Sequence, residues 1–411
     1  MKIGVIGGGA AGVASAYYLK KNHEVHLFEK QPVLGGNIRT LNKNVKTDGI
    51  PSDLYIDSGV IEFNGTHFIH LKALLEELNV PTEPVALSSA LFLFDGTYYL
   101  SPTRIRNSDF TVPRRIKEYL KHRRFLKDGL QFSYPWRKSG AAQLRRFRGQ
   151  TLGEVFHDQV LQYWTQAISM YAYSLPLEDA AQVPATQALA VLSEALGSTW
   201  FRIVGGVYTY VDAILQHLDR DKVFVNSHIE GVERHDAGVT IRFESGESFH
   251  CDKVVFATLP SQVLSLLVDA SDAEKRRFGP WRDHLSKTIV HTDAAIYERY
   301  PVDSHSAFDL FQKADGDFGY NAFLNELIGV SRDNPTSYCL GFNLEEWIDP
   351  KKTVHCQEHR TPRYSVDATR YREEIQRTNG ENNTLHAGAY LYKGLHEDAI
   401  KSAAKVADIL G

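Results

Sequence analysis

A chain of 411 residues, 43% hydrophobic and 23% charged with a net charge of −4, is long enough for two interleaved units with sizeable cores and is neither fibrous nor disordered in composition. Its three cysteines, Cys251, Cys339 and Cys356, are far apart and form no CxxC pair or even framework, which excludes a disulfide scaffold and fits a reducing compartment with buried bystander thiols. No run of 18 uninterrupted apolar residues occurs and no signal-like stretch precedes the first strand, so a cytoplasmic protein without a membrane span is expected.

The opening reads as strand (2–6), glycine turn, helix (10–20) and strand (24–28), the first βαβ unit of a doubly wound α/β sheet. Within it, "VIGGGAAGVASAYYL" spaces Gly7, Gly9 and Gly12 as a dinucleotide fingerprint. The first glycine permits the tight turn, the second lets backbone approach a pyrophosphate, and the third lets helix and strand pack closely. The helix N-terminus offers unpaired N–H groups and partial positive charge to phosphates. Glu29, ending the second strand, is placed to accept hydrogen bonds from both ribose hydroxyls, and its charge disfavours a 2′-phosphate, so NADP is the least suitable occupant. NAD and FAD both remain open on these residues.

Next, "SDLYIDSGVIEFN" predicts a strand and turn, and "THFIHLKALLEELNV" has the apolar spacing of a helix, ended by Pro81 and Pro84. From residue 86 to about 199 the pattern shifts to strand-like "ALFLFDGTYYL", a basic region and then helical segments, as in an inserted substrate-side unit. Residues 104–148 hold fourteen Lys and Arg against Asp109, Glu118 and Asp128, a balance of +11, interleaved with Phe110, Tyr119, Phe125, Phe132, Tyr134, Trp136 and Phe147. A solvated basic face is the default reading of such a run, and an anionic lipid surface, nucleic acid or an acidic substrate are the partners it raises. Short alternating strands follow with turns at Asp236–Gly238 and Ser245–Gly246. The chain closes as strand, loop and long helix.

Four segments in order, "EKQPVLGGNIRT", "IDSGVIEFN", "VNSHIEGVERHDAGVTIRFESGESFHCDKVVFATLP" and "NTLHAGAYLYKGLHEDAIKSAAKVADIL", resemble the flavin amine oxidase superfamily. That superfamily includes monoamine oxidases, protoporphyrinogen oxidase, carotenoid desaturases and flavin-dependent fatty-acid double-bond isomerases. The likeness is greatest to bacterial amine-oxidase-like FAD-binding proteins with a Gly-x-His-Glu-Asp ending, here Gly394 to Asp398. The resemblance implies a Rossmann-type FAD-binding domain, discontinuous over 1–85, 205–269 and 371–411, with an inserted α+β substrate domain over 86–204 and 270–370. It also implies non-covalent FAD, since no cysteine stands near "AGAYLYKG", where monoamine oxidases attach the flavin.

The cofactor contacts so implied are Gly7, Gly9, Ala10, Ala11, Gly12, Glu29 and Lys30 at the adenosine-diphosphate end, and Gly35, Gly36, Asn37 and Arg39 along the double-glycine loop. Gly59 and Val60 are expected beside the isoalloxazine, Ile229 at the adenine, Thr258 near the cofactor, and Gly388, Ala389, Leu395 and His396 at the closing helix. The commonest family pattern has Arg directly after the two glycines. Here Asn37 stands there and Arg39 lies two residues on, which leaves open which basic group meets the phosphates.

A flavin needs mainly a C–H bond placed over N5, exclusion of water and tuning of charge near N1, so few side chains need be catalytic. Lys287, in "HLSKTIVHTDAAIYE", stands where amine oxidases carry a lysine bonded through water to N5. His396 and Glu397 lie where the flavin edge is expected, each as a proton carrier or a cap of the last helix. Tyr390 and Tyr392 either flank substrate or pack in the core, and Leu395 takes one place of the aromatic pair that sandwiches the amine in amine oxidases. No metal site is expected, because His23 and His26 point to opposite strand faces and His67 and His70 lack a third ligand. The expected activity is that of an FAD-dependent oxidoreductase taking a hydride from a C–H bond of a small amine or a hydrophobic, lipid-like molecule. A double-bond isomerase of an unsaturated fatty acid is the alternative, and a non-catalytic FAD-stabilised binding protein a third. The expected partner is a small molecule, acidic or lipid-like in view of the basic run, which also admits peripheral membrane contact; nucleic acid is not expected.

Overall fold

The computed structural model describes residues 1–126, 128, 144–195, 197–298, 300, 305–331 and 334–411; Phe132, Tyr134 and Trp136 of the basic run lie outside the described residues. Strand β1 (Lys2–Ile6) buries Ile3, Val5 and Ile6 and runs into Gly7, whose φ of +103° is free of strain only for glycine. Helix α1 (Ala10–Leu19) follows, apolar on nearly every side and correspondingly buried. Gly12 sets how closely it packs: a Cβ there would lie 1.7 Å from the Gly7 carbonyl oxygen.

Strand β2 (Glu24–Phe28) pairs in parallel with β1, Lys2 opposite Glu24 and Ile6 opposite Phe28. Strand β3 (Val223–Phe224) adds beyond β2, while β4 (Lys253–Phe256) and β5 (Thr384–His386) add beyond β1, giving five parallel strands in the order 3-2-1-4-5. The closing helix, His396–Leu410, packs on α1, and Val13, Leu71, Leu74, Ile400 and Val406 share one core with β1. Between β3 and β4 runs an antiparallel excursion, Ile229–His235, Gly238–Phe243 and Ser248–Cys251, with its turns where the Gly-containing pairs predict them. Arg234 ties it down, donating to Glu274 (2.9 Å) and Asp269 (2.9 Å).

The second sheet has seven strands, in the order Thr353–Pro362, Asp283–His291, Cys339–Phe342, Phe318–Phe323, Phe308–Gln312, Ser89–Phe92 and Tyr98–Leu100. All seven come from 86–204 and 270–370. Leu91, Leu310 and Tyr320 of this sheet share a core with Trp164 and Met170 of the helix Gln159–Tyr173. Trp200–Ile203, which the domain expectation assigns to the inserted unit, instead pairs with Glu62–Asn64 and Thr82–Val85 of the first segment. Cys251 and Cys339 are buried, but Cys356 is exposed and so departs from the expectation of buried thiols: it sits on an edge strand whose alternate side chains face outward. Among the described residues no helix is long and apolar enough to cross a membrane.

Candidate active site

At the carboxyl ends of β1, β2 and β4, where chain order reverses across the sheet, a continuous cavity of about 2120 Å³ begins. Single-ligand pockets run to roughly 1,000 Å³, so this one has room for a cofactor and a substrate together. Gly7, Gly9, Ala10 and Ala11 of the glycine turn line it, followed by Glu29 and Lys30, then Gly35, Gly36, Asn37 and Arg39. Ile229 and Thr258 line the same space, as do Gly59, Val60, Gly388, Ala389, Leu395 and His396. Of the cofactor contacts expected from sequence only Gly12 is absent from the lining, since its place is in the helix–strand contact.

The turn fits a pyrophosphate. A Cβ on Gly9 would meet nothing nearer than the Gly36 Cα at 3.7 Å, so that side of Gly9 faces open space. Helix α1 begins there with no side-chain cap and no acidic residue in its first turn, leaving its first N–H groups available to an anion. The double-glycine loop is held over the turn by the Gly35 N–H, which donates to the Gly8 carbonyl (2.8 Å). Glu29 is buried at the adenosine end, where its Oε2 accepts from the Gly8 N–H (2.6 Å) and its Oε1 from the Gln31 N–H (2.7 Å). Those bonds fix the carboxylate while leaving lone pairs for ribose hydroxyls. Arg39 donates to the carbonyls of Leu34 (3.2 Å) and Ile38 (3.1 Å), and burial lowers the pKa of its guanidinium. Asn37 turns toward the second sheet, its Nδ2 donating to the Arg360 carbonyl (3.1 Å).

Neutral histidines brace the other end of the cleft. His359 Nε2 donates to the Ser58 carbonyl (2.8 Å), which also accepts from the Thr288 hydroxyl (2.7 Å). The His359 ring lies against Gly59, where a Cβ would come within 2.8 Å of its Cε1, and burial pushes its pKa down to about 4. His396 is likewise pushed down to about 4 by burial, with its Nε2 2.9 Å from the Tyr210 hydroxyl. Glu397 does not cap the closing helix: it accepts from the His70 (3.0 Å) and Leu71 (2.9 Å) N–H groups at the start of the helix Ile69–Glu77, and pairs with His70 Nδ1 (2.6 Å). Asp398 caps the closing helix through the Leu395 N–H (3.0 Å).

Lys287 is not at the cavity. In the strand Asp283–His291, Ser286 and Thr288 are buried while Lys287 between them is exposed, because successive side chains of a strand face opposite ways. Its face of the strand also carries Leu285, which does line the cavity, whereas the buried Ser286 and Thr288 do not. Replacing Lys287 by Met is therefore expected to leave flavin content unchanged and turnover within about twofold of the parent, measured by absorbance and steady-state kinetics; a loss of tenfold or more would return Lys287 to the mechanism.

Beyond the cleft the cavity continues between Trp164, Ile168, Tyr171, Phe308, Leu310 and Tyr320. The Tyr171 ring packs 3.8 Å from that of Phe308 and 5.3 Å from that of Tyr320, centre to centre. Glu62 enters this chamber as a buried carboxyl, with the Tyr171 hydroxyl 2.8 Å from Oε1 and 2.7 Å from Oε2 and donating to it, and burial pushes its pKa up to about 7. Among the described residues, Glu29 and Glu62 are the buried carboxyls that line the cavity, whereas Glu244 and Glu358 are exposed. Tyr173, Tyr364 and Tyr390 line the stretch beside Gly394; Tyr390 also packs against Trp281 (5.5 Å), while Tyr392 does not reach the cavity. Glu62, Tyr171 and His359 escape the sequence reading, although one acid inside the apolar run "VIEFN" is a usable signal for the first.

Residues 10–288 match the family profile of flavin-containing amine oxidoreductases. No curated protein sequence matches the chain. Putrescine oxidase bound to putrescine has a similar structure at 15% identity, over 100% of this chain and 99% of that one, with a TM-score of 0.68. Cyclohexylamine oxidase from Brevibacterium oxydans is similar at 16% identity over 100% and 99%, TM-score 0.68. A CLA-producing fatty acid isomerase from P. acnes is similar at 15% identity over 99% and 97%, TM-score 0.64. At such identities these likenesses carry the fold, a Rossmann-type FAD domain with a substrate domain. The matched family, over more than half of the chain and in line with the glycine cradle, sets the cofactor: the chain belongs to the flavin-containing amine oxidoreductases and is an FAD-dependent oxidoreductase.

Proposed function

We propose that the protein oxidises a lipophilic amine, losing a hydride from the carbon next to the nitrogen. The observation that carries this reading is the Glu62 carboxyl, buried in an aromatic chamber continuous with the cofactor cleft. Bound FAD supplies a two-electron acceptor for the hydride. The aromatic walls take up the hydrocarbon part of the substrate and exclude water. Glu62, oriented by Tyr171, accepts a hydrogen bond from the ammonium group and then its proton, so that the neutral amine, its C–H bond set toward the flavin, loses the hydride as the C=N bond forms. His359 and His396, neutral near pH 7, hold the backbone and helix end around the cofactor without adding charge.

An unsaturated fatty acid is the weaker occupant, because a carboxylate head in this chamber would face a second carboxyl. Putrescine oxidase and cyclohexylamine oxidase, similar in fold, are named for amines, and the fatty acid isomerase stands for the alternative. The test is product analysis after incubation with matched series of straight-chain amines and unsaturated fatty acids, with oxygen or a dye as acceptor. The expected products are aldehyde and ammonium, one acceptor reduced and one water consumed per amine, with KM falling as the chain lengthens. Inert amines together with a shifted double bond in the fatty acid would overturn the proposal in favour of isomerisation.

A further inference from the structure

The helix Val112–Lys121 is turned inside out. Its Glu118 is buried, paired with Lys121 Nζ (2.8 Å) and accepting from the Tyr98 hydroxyl (3.3 Å). Arg115 is half-buried and donates to the Ser108 carbonyl (2.8 Å). The opposite face presents Val112, Ile116, Tyr119 and Leu120, which are 69%, 55%, 42% and 56% exposed. Those positions form one stripe at helical spacing, and Leu126, beyond the 3-10 turn His122–Phe125, is 61% exposed as well. A packed surface helix shows the reverse arrangement, and a contiguous apolar stripe in water marks a contact surface. Lys117 and Arg123 are exposed around the same stripe, and residues 104–126 carry eight Lys and Arg against Asp109 and Glu118.

A partner for this face must be apolar at its centre and anionic around it. We propose that the helix docks the protein on an anionic lipid bilayer, with the stripe at the acyl boundary and Lys117 and Arg123 among the headgroups. A second copy of the chain would bring two strongly basic faces together, and nucleic acid would leave the aliphatic stripe in water. The short helix Pro102–Arg106 connects this surface to the chamber: Pro102, Arg106 and Asn107 are exposed and line the cavity, as does His122. A lipophilic substrate concentrated at the interface then has an entry next to the docked helix. This surface does not depend on the substrate being an amine.

Co-sedimentation of the holoprotein with vesicles tests the proposal. Binding is expected to phosphatidylcholine vesicles containing phosphatidylglycerol, to weaken in high salt, and to fall at least about tenfold in the double variant Ile116→Ser, Leu120→Ser with FAD content unchanged. Exposed side chains are replaced there, and the retained flavin reports an intact fold. Failure of the parent protein to bind anionic vesicles would overturn the proposal, as would equal binding by the variant. So would tighter retention by a DNA duplex than by vesicles, or a dimer in solution that the same substitutions dissociate.

Discussion

Replacing Gly9 by Val is expected to give a folded, colourless protein. Gly9 has φ of −73° and ψ of −175°, extended backbone that valine adopts readily, and its missing Cβ faces open cavity with the nearest atom 3.7 Å away. The branched side chain therefore costs the apoprotein little. It fills the approach of the pyrophosphate to the open N–H groups of α1, and affinity lost there cannot be recovered elsewhere in the cleft. The expected outcome is less than about one part in a hundred of the parent's bound FAD, with far-ultraviolet circular dichroism unchanged. Gly12→Ala sets the contrast: its Cβ would sit 1.7 Å from the Gly7 oxygen, so the turn itself must open and cofactor and fold are lost together. Full flavin content in Gly9→Val would remove the pyrophosphate from this turn.

Replacing Glu62 by Gln is expected to lower kcat/KM for a lipophilic amine about a hundredfold, near 3 kcal/mol, while FAD stays bound. The amide keeps the shape and still accepts from Tyr171, but the charge opposite the ammonium is gone. In the parent, ionisation of a carboxyl pushed up to about 7 makes kcat/KM rise with pH through that value, and the variant is expected to lack this limb. Stability moves in the opposite sense. The folded-state pKa lies above that of an unfolded glutamate, so the stability contributed by the protonated group is complete below about pH 4.3 and is lost as pH rises through about 7. Glu62→Gln is therefore expected to melt higher than the parent at pH 8 while turning over more slowly. A variant with parental kcat/KM and the same pH profile would take Glu62 out of substrate recognition.

The cofactor half of this protein is legible in its sequence because local chain geometry dictates it. Gly7 and Gly12 are required by a turn and a close approach within a few residues, Gly9 by the room a pyrophosphate needs, and Glu29 by its place at a strand end. Even the strand limits Lys2–Ile6 and Glu24–Phe28 follow from short apolar runs that stop at Gly7 and Glu29. The substrate half depends on contacts between residues far apart in the chain. Tyr171 reaches Glu62 across 109 positions and His359 reaches Ser58 across 301, distances over which no periodicity carries information. Lys287 shows the limit of the family likeness: it lies on the strand face that carries Leu285, yet Leu285 lines the cavity and Lys287 does not. The basic run was visible as charge, yet only the packed helix shows that Glu118 faces in while Ile116 and Leu120 face out.

Anaerobic mixing of the purified yellow holoprotein with a long-chain primary amine, followed by flavin absorbance, tests the central claim most directly. Oxidation of an amine predicts lasting bleaching, one equivalent of flavin reduced per amine consumed, and return of the colour when oxygen or a dye is admitted. Unbleached flavin with every amine, alongside conversion of an unsaturated fatty acid to a positional isomer with no net bleaching, would contradict it.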